Sequence, residues 1–112
     1  APSEQYGVAW AGAQTPQTAA ELMRSRYSAY TLRDDAYLHA TWCDRTRPAE
    51  PVTEAGLKWL GLEVKKHAEA GAEATVEFVA RYKVDGRAHR LHEISRFVRE
   101  DGRWFYLDGS FP

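Results

Sequence analysis

The chain has 112 residues, which suits one domain with a single modest core. A formal net charge of -1 supplies no basic field for nucleic acid, and no apolar run approaches the ~18 residues of a membrane-spanning helix. The single cysteine, Cys43, excludes an intramolecular disulfide and fits a reducing, cytoplasmic setting.

Residues 1–17 mix Pro2, Gly7, Gly12 and Pro16 with small side chains and read as an irregular N-terminal arm. Its first residues lack the charged and apolar regions of a signal peptide. Tyr6, Val8 and Trp10 are placed to dock on the domain or on a neighbour, or else to lie in a partly ordered tail. Residues 18–112 read as one domain. Thr18 followed by Glu21 is a capping box, which opens a helix over about Ala19–Arg33. At 100° per residue, Ala19, Leu22, Met23, Ala29 and Tyr30 share one arc. Arg26 falls in the middle of that arc, where a guanidinium wants a buried carboxylate or a ligand anion, or else snorkels its head to solvent. Asp34 and Asp35 start a second, short helix that runs to about Thr41. A loop through Pro48 and Pro51 follows, and Thr53–Gly56 suggests one more helical turn.

The rest reads as a four-strand antiparallel meander. The first strand covers about Trp59–His67. A three-residue turn places Leu60, Leu62 and Val64 opposite Tyr82, Ala80 and Phe78. The next strands are Thr75–Val84, Arg87–Glu100 and Arg103–Gly109. They are joined at Asp85-Gly86 and Asp101-Gly102, dipeptides that favour type I′ turns because both central residues need positive φ. Two-residue turns set Phe78 opposite Glu93, Val76 opposite Ser95, Phe97 opposite Tyr106 and Ser95 opposite Asp108. With a side-chain period of two, one face carries Val76, Phe78, Ala80, Tyr82, Leu91, Glu93, Ser95, Phe97, Trp104, Tyr106 and Asp108. This aromatic-rich face is the one expected under the helices, yet it holds two acids. A carboxylate among aromatic rings is costly unless it is paired or lines a wet cavity.

The opposite face carries Glu77, Val79, Arg81, His92, Ile94, Arg96, Val98, Phe105 and Leu107, too apolar to be left wet. It is expected to form a homodimer interface, with any His92–Glu77 pair structural. Cys43 beside Trp42 reads as a buried small residue, and the arginines near residues 24–47 are interleaved with acids as on an ordinary solvated surface.

Helices on one face of an antiparallel sheet make an α+β domain, and this order resembles the nuclear-transport-factor-2-like (cystatin-like) cone. Leu22-Met23-Arg24-Ser25-Arg26-Tyr27-Ser28-Ala29-Tyr30 resembles a segment of the YchJ-like family. The same holds for Trp59–Val64, Val76–Tyr82, Leu91-His92-Glu93, Ser95-Arg96-Phe97, Asp101–Trp104 and Asp108-Gly109. The resemblance covers about residues 5–109 and implies a fold more than an activity. Family members usually begin with a cysteine-rich SEC-C zinc knuckle. Here that place reads Gln5-Tyr6-Gly7, and Cys43 with four scattered histidines offers no zinc-ligand spacing. The knuckle is therefore expected to be missing or lost, and no metal or other cofactor is called for.

Three functional readings follow. The leading one is a small-molecule- or peptide-binding module. Its cone cavity is formed by Arg26, Tyr30, Phe78, Tyr82, Ser95, Trp104 and Tyr106 around the acids, and Glu93 pairs with Arg26 if that site is purely structural. The alternative is a cofactor-independent isomerase, dehydratase or hydrolase with Glu93 or Asp108 as the catalytic base, the two able to divide base and acid roles because paired carboxylates split their pKa values, and a tyrosine or Arg26 stabilising an oxyanion. The third is a structural interaction domain whose cavity is filled by its own side chains. None involves nucleic acid or membrane.

Overall fold

The computed structural model describes residues 15–112. The expected N-terminal arm, with Tyr6, Val8 and Trp10, lies outside the described residues apart from its last three positions. Two helices, α1 (Ala19–Leu32) and α2 (Asp35–Ala40), precede four strands: β1 (Leu57–Ala70), β2 (Glu73–Val84), β3 (Arg87–Glu100) and β4 (Arg103–Ser110). The strands form one antiparallel sheet in the order β1-β2-β3-β4. Helix α1 packs against β1, β2 and β4 on the inner face. This is the α+β architecture expected from the sequence.

Local chemistry explains the elements. The Thr18 hydroxyl accepts a hydrogen bond from the Glu21 amide at 3.1 Å, and the Glu21 carboxylate accepts one from the Gln17 amide at 2.7 Å. The capping box thus reaches one residue further back than the usual pattern. Arg33 ends α1 in the left-handed region (φ 55°), and the Asp34 amide closes onto the Ala29 carbonyl at 2.8 Å. Asp34 caps α2 by accepting from the Tyr37 amide. Asp35 accepts from both the Val52 and Thr53 amides and from the Thr53 hydroxyl at 2.7 Å, which ties the long loop back to the helix. Those bonds hold Thr53 in irregular backbone, and only a simple turn at Ala55-Gly56 precedes β1. The helical turn expected over Thr53–Gly56 does not form.

Asp85-Gly86 and Asp101-Gly102 all have positive φ (51°, 76°, 52° and 78°), as a type I′ turn demands. They pair Val84 with Arg87 and Glu100 with Arg103, and bring Phe78 opposite Glu93. The β1–β2 turn is tighter than expected, with Ala70 opposite Glu73. The register is recovered by two β1 irregularities, where Leu60 and Lys65 are the unpaired residues. Leu62 and Val64 therefore meet Ala80 and Phe78 as expected, but Trp59 takes the place opposite Tyr82. Leu60 is pushed outward and is 47% exposed, because a bulged residue drops out of the alternation.

The core sits between α1 and the sheet. Leu22 and Met23 pack with Val76, Phe78, Ala80, Phe97 and Trp104. Ala29, Tyr37 and Leu38 form a second cluster where the two helices meet. No helix among the described residues is long and apolar enough to cross a membrane.

Candidate functional site

The inner face of the sheet is not filled to its end. Between α1 and strands β1–β4 lies a cavity of about 160 Å³. Met23, Arg26, Tyr27 and Tyr30 of α1 line it, with Trp59 of β1, Phe78 and Ala80 of β2, Leu91, Glu93, Ser95 and Phe97 of β3, and Tyr106 of β4. Most of this wall is aromatic. Its polar atoms belong to Arg26, the three tyrosines, Glu93 and Ser95.

Glu93 is 8% exposed. Its Oε2 accepts from the Ser95 hydroxyl at 2.7 Å and from the Tyr106 hydroxyl at 3.0 Å. Two neutral donors on one oxygen suit a carboxylate, and they direct the other oxygen elsewhere. Oε1 has no partner among the described residues and is not sealed inside the protein.

The seat of that carboxylate depends on an irregularity in β4. Phe97 faces Tyr106, but Arg96 faces Asp108 and Ser95 faces Gly109, so Leu107 is the extra residue. The expected pairing of Ser95 with Asp108 is therefore incorrect. The bulge turns Asp108 to the outer face, where both its oxygens accept from Arg96 at 2.7 and 2.6 Å. It leaves Gly109 on the inner face in the space Asp108 was expected to occupy. A Cβ at Gly109 would collide with the Glu93 carboxylate, and would lie only 2.6 Å from its Cδ. Gly109 is needed here for space, since its φ is not positive.

Arg26 is 4% exposed and does not pair directly with Glu93, so the structural ion pair weighed from the sequence is not formed. Instead Nη1 donates to the Leu38 carbonyl at 2.8 Å and to the Thr41 hydroxyl at 2.6 Å. The guanidinium rests against two rings that touch each other edge-on, 4.9 Å from the centroid of Trp42 and 4.7 Å from that of Tyr106. This is cation–π burial, in which ring faces substitute for a counter-charge. Among the remaining N–H groups on Nε and Nη2, one is within hydrogen-bonding reach of the Tyr30 hydroxyl, and the others have no partner among the described residues. The segment after α2 holds this arrangement against β4. The Tyr106 amide donates to the Thr41 carbonyl at 2.8 Å, and the Cys43 amide to the Tyr106 carbonyl at 2.7 Å. Trp42 forms a parallel bridge with Tyr106 and also covers the β4 edge.

Electrostatics follow from burial. It lowers the Arg26 pKa from its ordinary value, opposed by nearby tyrosines and Glu93; arginine nevertheless stays a cation. Burial, and then the Glu93 charge and hydrogen bond, push the Tyr106 hydroxyl far above its usual range, so it remains a proton donor. Burial also raises Tyr30, with the Arg26 charge working against it.

The structure brings together Arg26, Tyr30, Phe78, Glu93, Ser95 and Tyr106, and leaves out three expected members. Asp108 is on the outer face. Tyr82 stands at the rim, against Trp59 at 5.3 Å and stacked on His89 at 5.1 Å. Trp104 is core: it is 4% exposed, and its indole N–H donates to the Gln17 carbonyl at 3.3 Å. Thr41, Trp42 and Gly109 were not anticipated from the sequence. The aromatic clustering near Cys43 offered a signal for Trp42, but nothing local marked Gly109. Among the described residues no cluster of His, Cys, Asp and Glu is arranged to hold a metal ion.

An α+β cone with a polar-centred cavity under its helix is the class this geometry defines. Residues 18–109 match the family described as YchJ, middle NTF2-like domain, and the chain belongs to that family. A UPF0225 protein of Ralstonia nicotianae is 54% identical over 113 residues, covering 89% of this chain and 78% of the relative. One from Methylibium petroleiphilum is 61% identical over 103 residues, covering 88% and 75%. Among solved structures, a SEC-C motif containing protein from Rhodopseudomonas palustris matches with a TM-score of 0.80 at 30% identity, covering 91% of this chain and 84% of that one. A second, from Psychrobacter arcticus, matches with 0.71 at 28%, covering 89% and 64%.

Proposed function

We propose that this domain is a small-molecule-binding module and that the cavity around Glu93 is its site. One observation carries the reading: a buried carboxylate is held by two hydroxyls in an aromatic cavity that its own side chains do not fill. A structural carboxylate has no need of the remaining space. The acid–base enzyme reading loses Asp108, which turns outward, and rests on Glu93 alone as base with Tyr106 and Arg26 as donors. A fragment screen by ¹⁵N NMR tests the proposal. Saturable shifts at the Trp59 indole and the Ser95 amide, reduced in Glu93→Gln, support a binding module. Silence from a chemically broad library sinks it.

The outer sheet face supports a second part of the reading, a homodimer in the cytoplasm. Ile94, Val98, Phe105 and Leu107 are only half-buried there and leave apolar surface for a second copy to cover. The Glu77–His92 pair, at 2.7 Å, lies on the same face and is structural. The free, buried thiol of Cys43 fits a reducing compartment. Sedimentation at micromolar concentration tests the dimer, and a monomer at every concentration contradicts it.

A further inference from the structure

Resting on the cavity as a binding site, the charges inside it specify what kind of molecule fits. Glu93 Oε1 is an open acceptor. On the Arg26 guanidinium Nη1 is already used twice and one further N–H is within reach of the Tyr30 hydroxyl, which leaves the remaining N–H groups of Nε and Nη2 as spare donors. Both residues are more than nine-tenths buried. They are held apart by one ring: Arg26 lies over the face of Tyr106, and the hydroxyl of that ring holds Glu93. The Leu38 carbonyl and Thr41 anchor Nη1, and Trp42, edge-on against Tyr106, packs beside the guanidinium, so Arg26 is held where it is. The cavity therefore presents a fixed donor and a fixed acceptor, of opposite charge, on one wall.

We propose that the ligand is a small, net-neutral, planar molecule that gives a hydrogen-bond donor to Glu93 Oε1 and an acceptor to the Arg26 guanidinium. Charge balance selects neutrality. The site's own charges cancel, so an added anion or cation in an aromatic setting would be left uncompensated. A zwitterion matches both charges but must shed the water around two of its own. Size selects a fragment: 160 Å³ holds the equivalent of about five waters, well below a drug-sized pocket. Shape selects a flat body, because Tyr27, Tyr30, Trp59, Phe97 and Tyr106 offer ring surfaces. Cyclic amides and related heteroaromatic rings, with N–H beside C=O, have this chemistry.

The test is a probe series on the wild-type protein, followed by ¹⁵N NMR at the Trp59 indole and the Ser95 and Gly109 amides. The probes are 2-pyridone, N-methyl-2-pyridone, benzoate, benzylammonium and L-proline. The expected result is saturable binding of 2-pyridone, with N-methyl-2-pyridone weaker by roughly tenfold or more because the donor is gone. The charged probes and L-proline should be no better than the N-methyl compound. Glu93→Gln should weaken 2-pyridone by roughly tenfold, since the acceptor loses its charge. Tighter binding of benzoate, benzylammonium or L-proline at the same resonances overturns the neutral class and leaves the cavity as a site. Equal binding of 2-pyridone and its N-methyl analogue, or no loss in Glu93→Gln, overturns the donor-to-Glu93 contact. No response to any probe at millimolar concentration removes the binding-site reading itself.

Discussion

Glu93 and Asp108 start from similar sequence signals and end in opposite environments. Glu93 sits on the inner strand β3 and Asp108 on the neighbouring edge strand β4, each two residues or fewer from a serine or glycine and flanked by apolar residues. Glu93 stays on the inner face, nearly dry, and is satisfied by neutral hydroxyls. Asp108 lies in water on the outer face, with a bidentate arginine. One extra residue in β4 makes the difference, because a single slip exchanges the faces of everything beyond it. A functional assignment made from strand alternation is thus only as secure as the register up to that residue.

The contrast can be broken most severely at Arg26. Arg26→Ala removes a buried side chain packed against two rings and leaves the Leu38 carbonyl with only the longer Thr41 hydroxyl bond at 3.3 Å. A loss of about 3 kcal/mol is expected in denaturant unfolding. Gly109→Ala attacks the Glu93 seat directly and should cost about 2 kcal/mol through overpacking against the carboxylate. The same substitution in a Glu93→Ala background should cost far less, so a double-mutant cycle gives a clear coupling energy. Tyr106→Phe deletes one hydroxyl from the carboxylate and should cost about 1.5 kcal/mol. Asp108→Ala should be the mildest of the series, near the error of the measurement, since its ion pair is solvent-exposed.

Acid titration sharpens the outer half of the comparison. The Arg96 hydrogen bond and charge hold the Asp108 carboxyl below its usual range. For Asp35, burial acts upward, but three hydrogen bonds from Thr53 and Val52 outweigh it and lower that carboxyl too. A carboxyl lowered in the folded state contributes stability above its unfolded pKa of ~4, and that contribution is lost as pH falls through the folded value. Asp35→Asn should flatten the acid limb of the stability–pH profile. Asp108→Asn should change it less, because water already screens the Arg96 pair. A larger change from Asp108 would contradict its placement on the outer face.

Much of the fold was legible because its signals are local. The Thr18 cap, the Asp34 start of α2 and the two Asp-Gly turns each depend on a few adjacent residues. The inner placement of Glu93, Ser95 and Tyr106 followed from the turns by counting. Legibility ended at the bulges. Leu60, Lys65 and Leu107 carry no local mark that they drop out of the ladder, and the consequences fell on Leu60 and Asp108. The partners of Arg26 were hidden for another reason. Apart from Tyr30 on the same helix, they are a carbonyl, a hydroxyl and two rings from distant parts of the chain, where the helical arc indicated only that a buried guanidinium needed something. Gly109 was hidden because its role is empty space for another residue's side chain.

A crystal structure of the purified protein at high resolution tests the central claim most directly, through the space between Glu93 Oε1 and the open nitrogens of Arg26. The account predicts ordered water or a small molecule bridging the two, with Gly109 beneath the Glu93 carboxylate and Asp108 outside on Arg96. Arg26 closed directly onto Glu93, with the aromatic rings collapsed into the cavity, would contradict it and leave the outer face as the place to look for function.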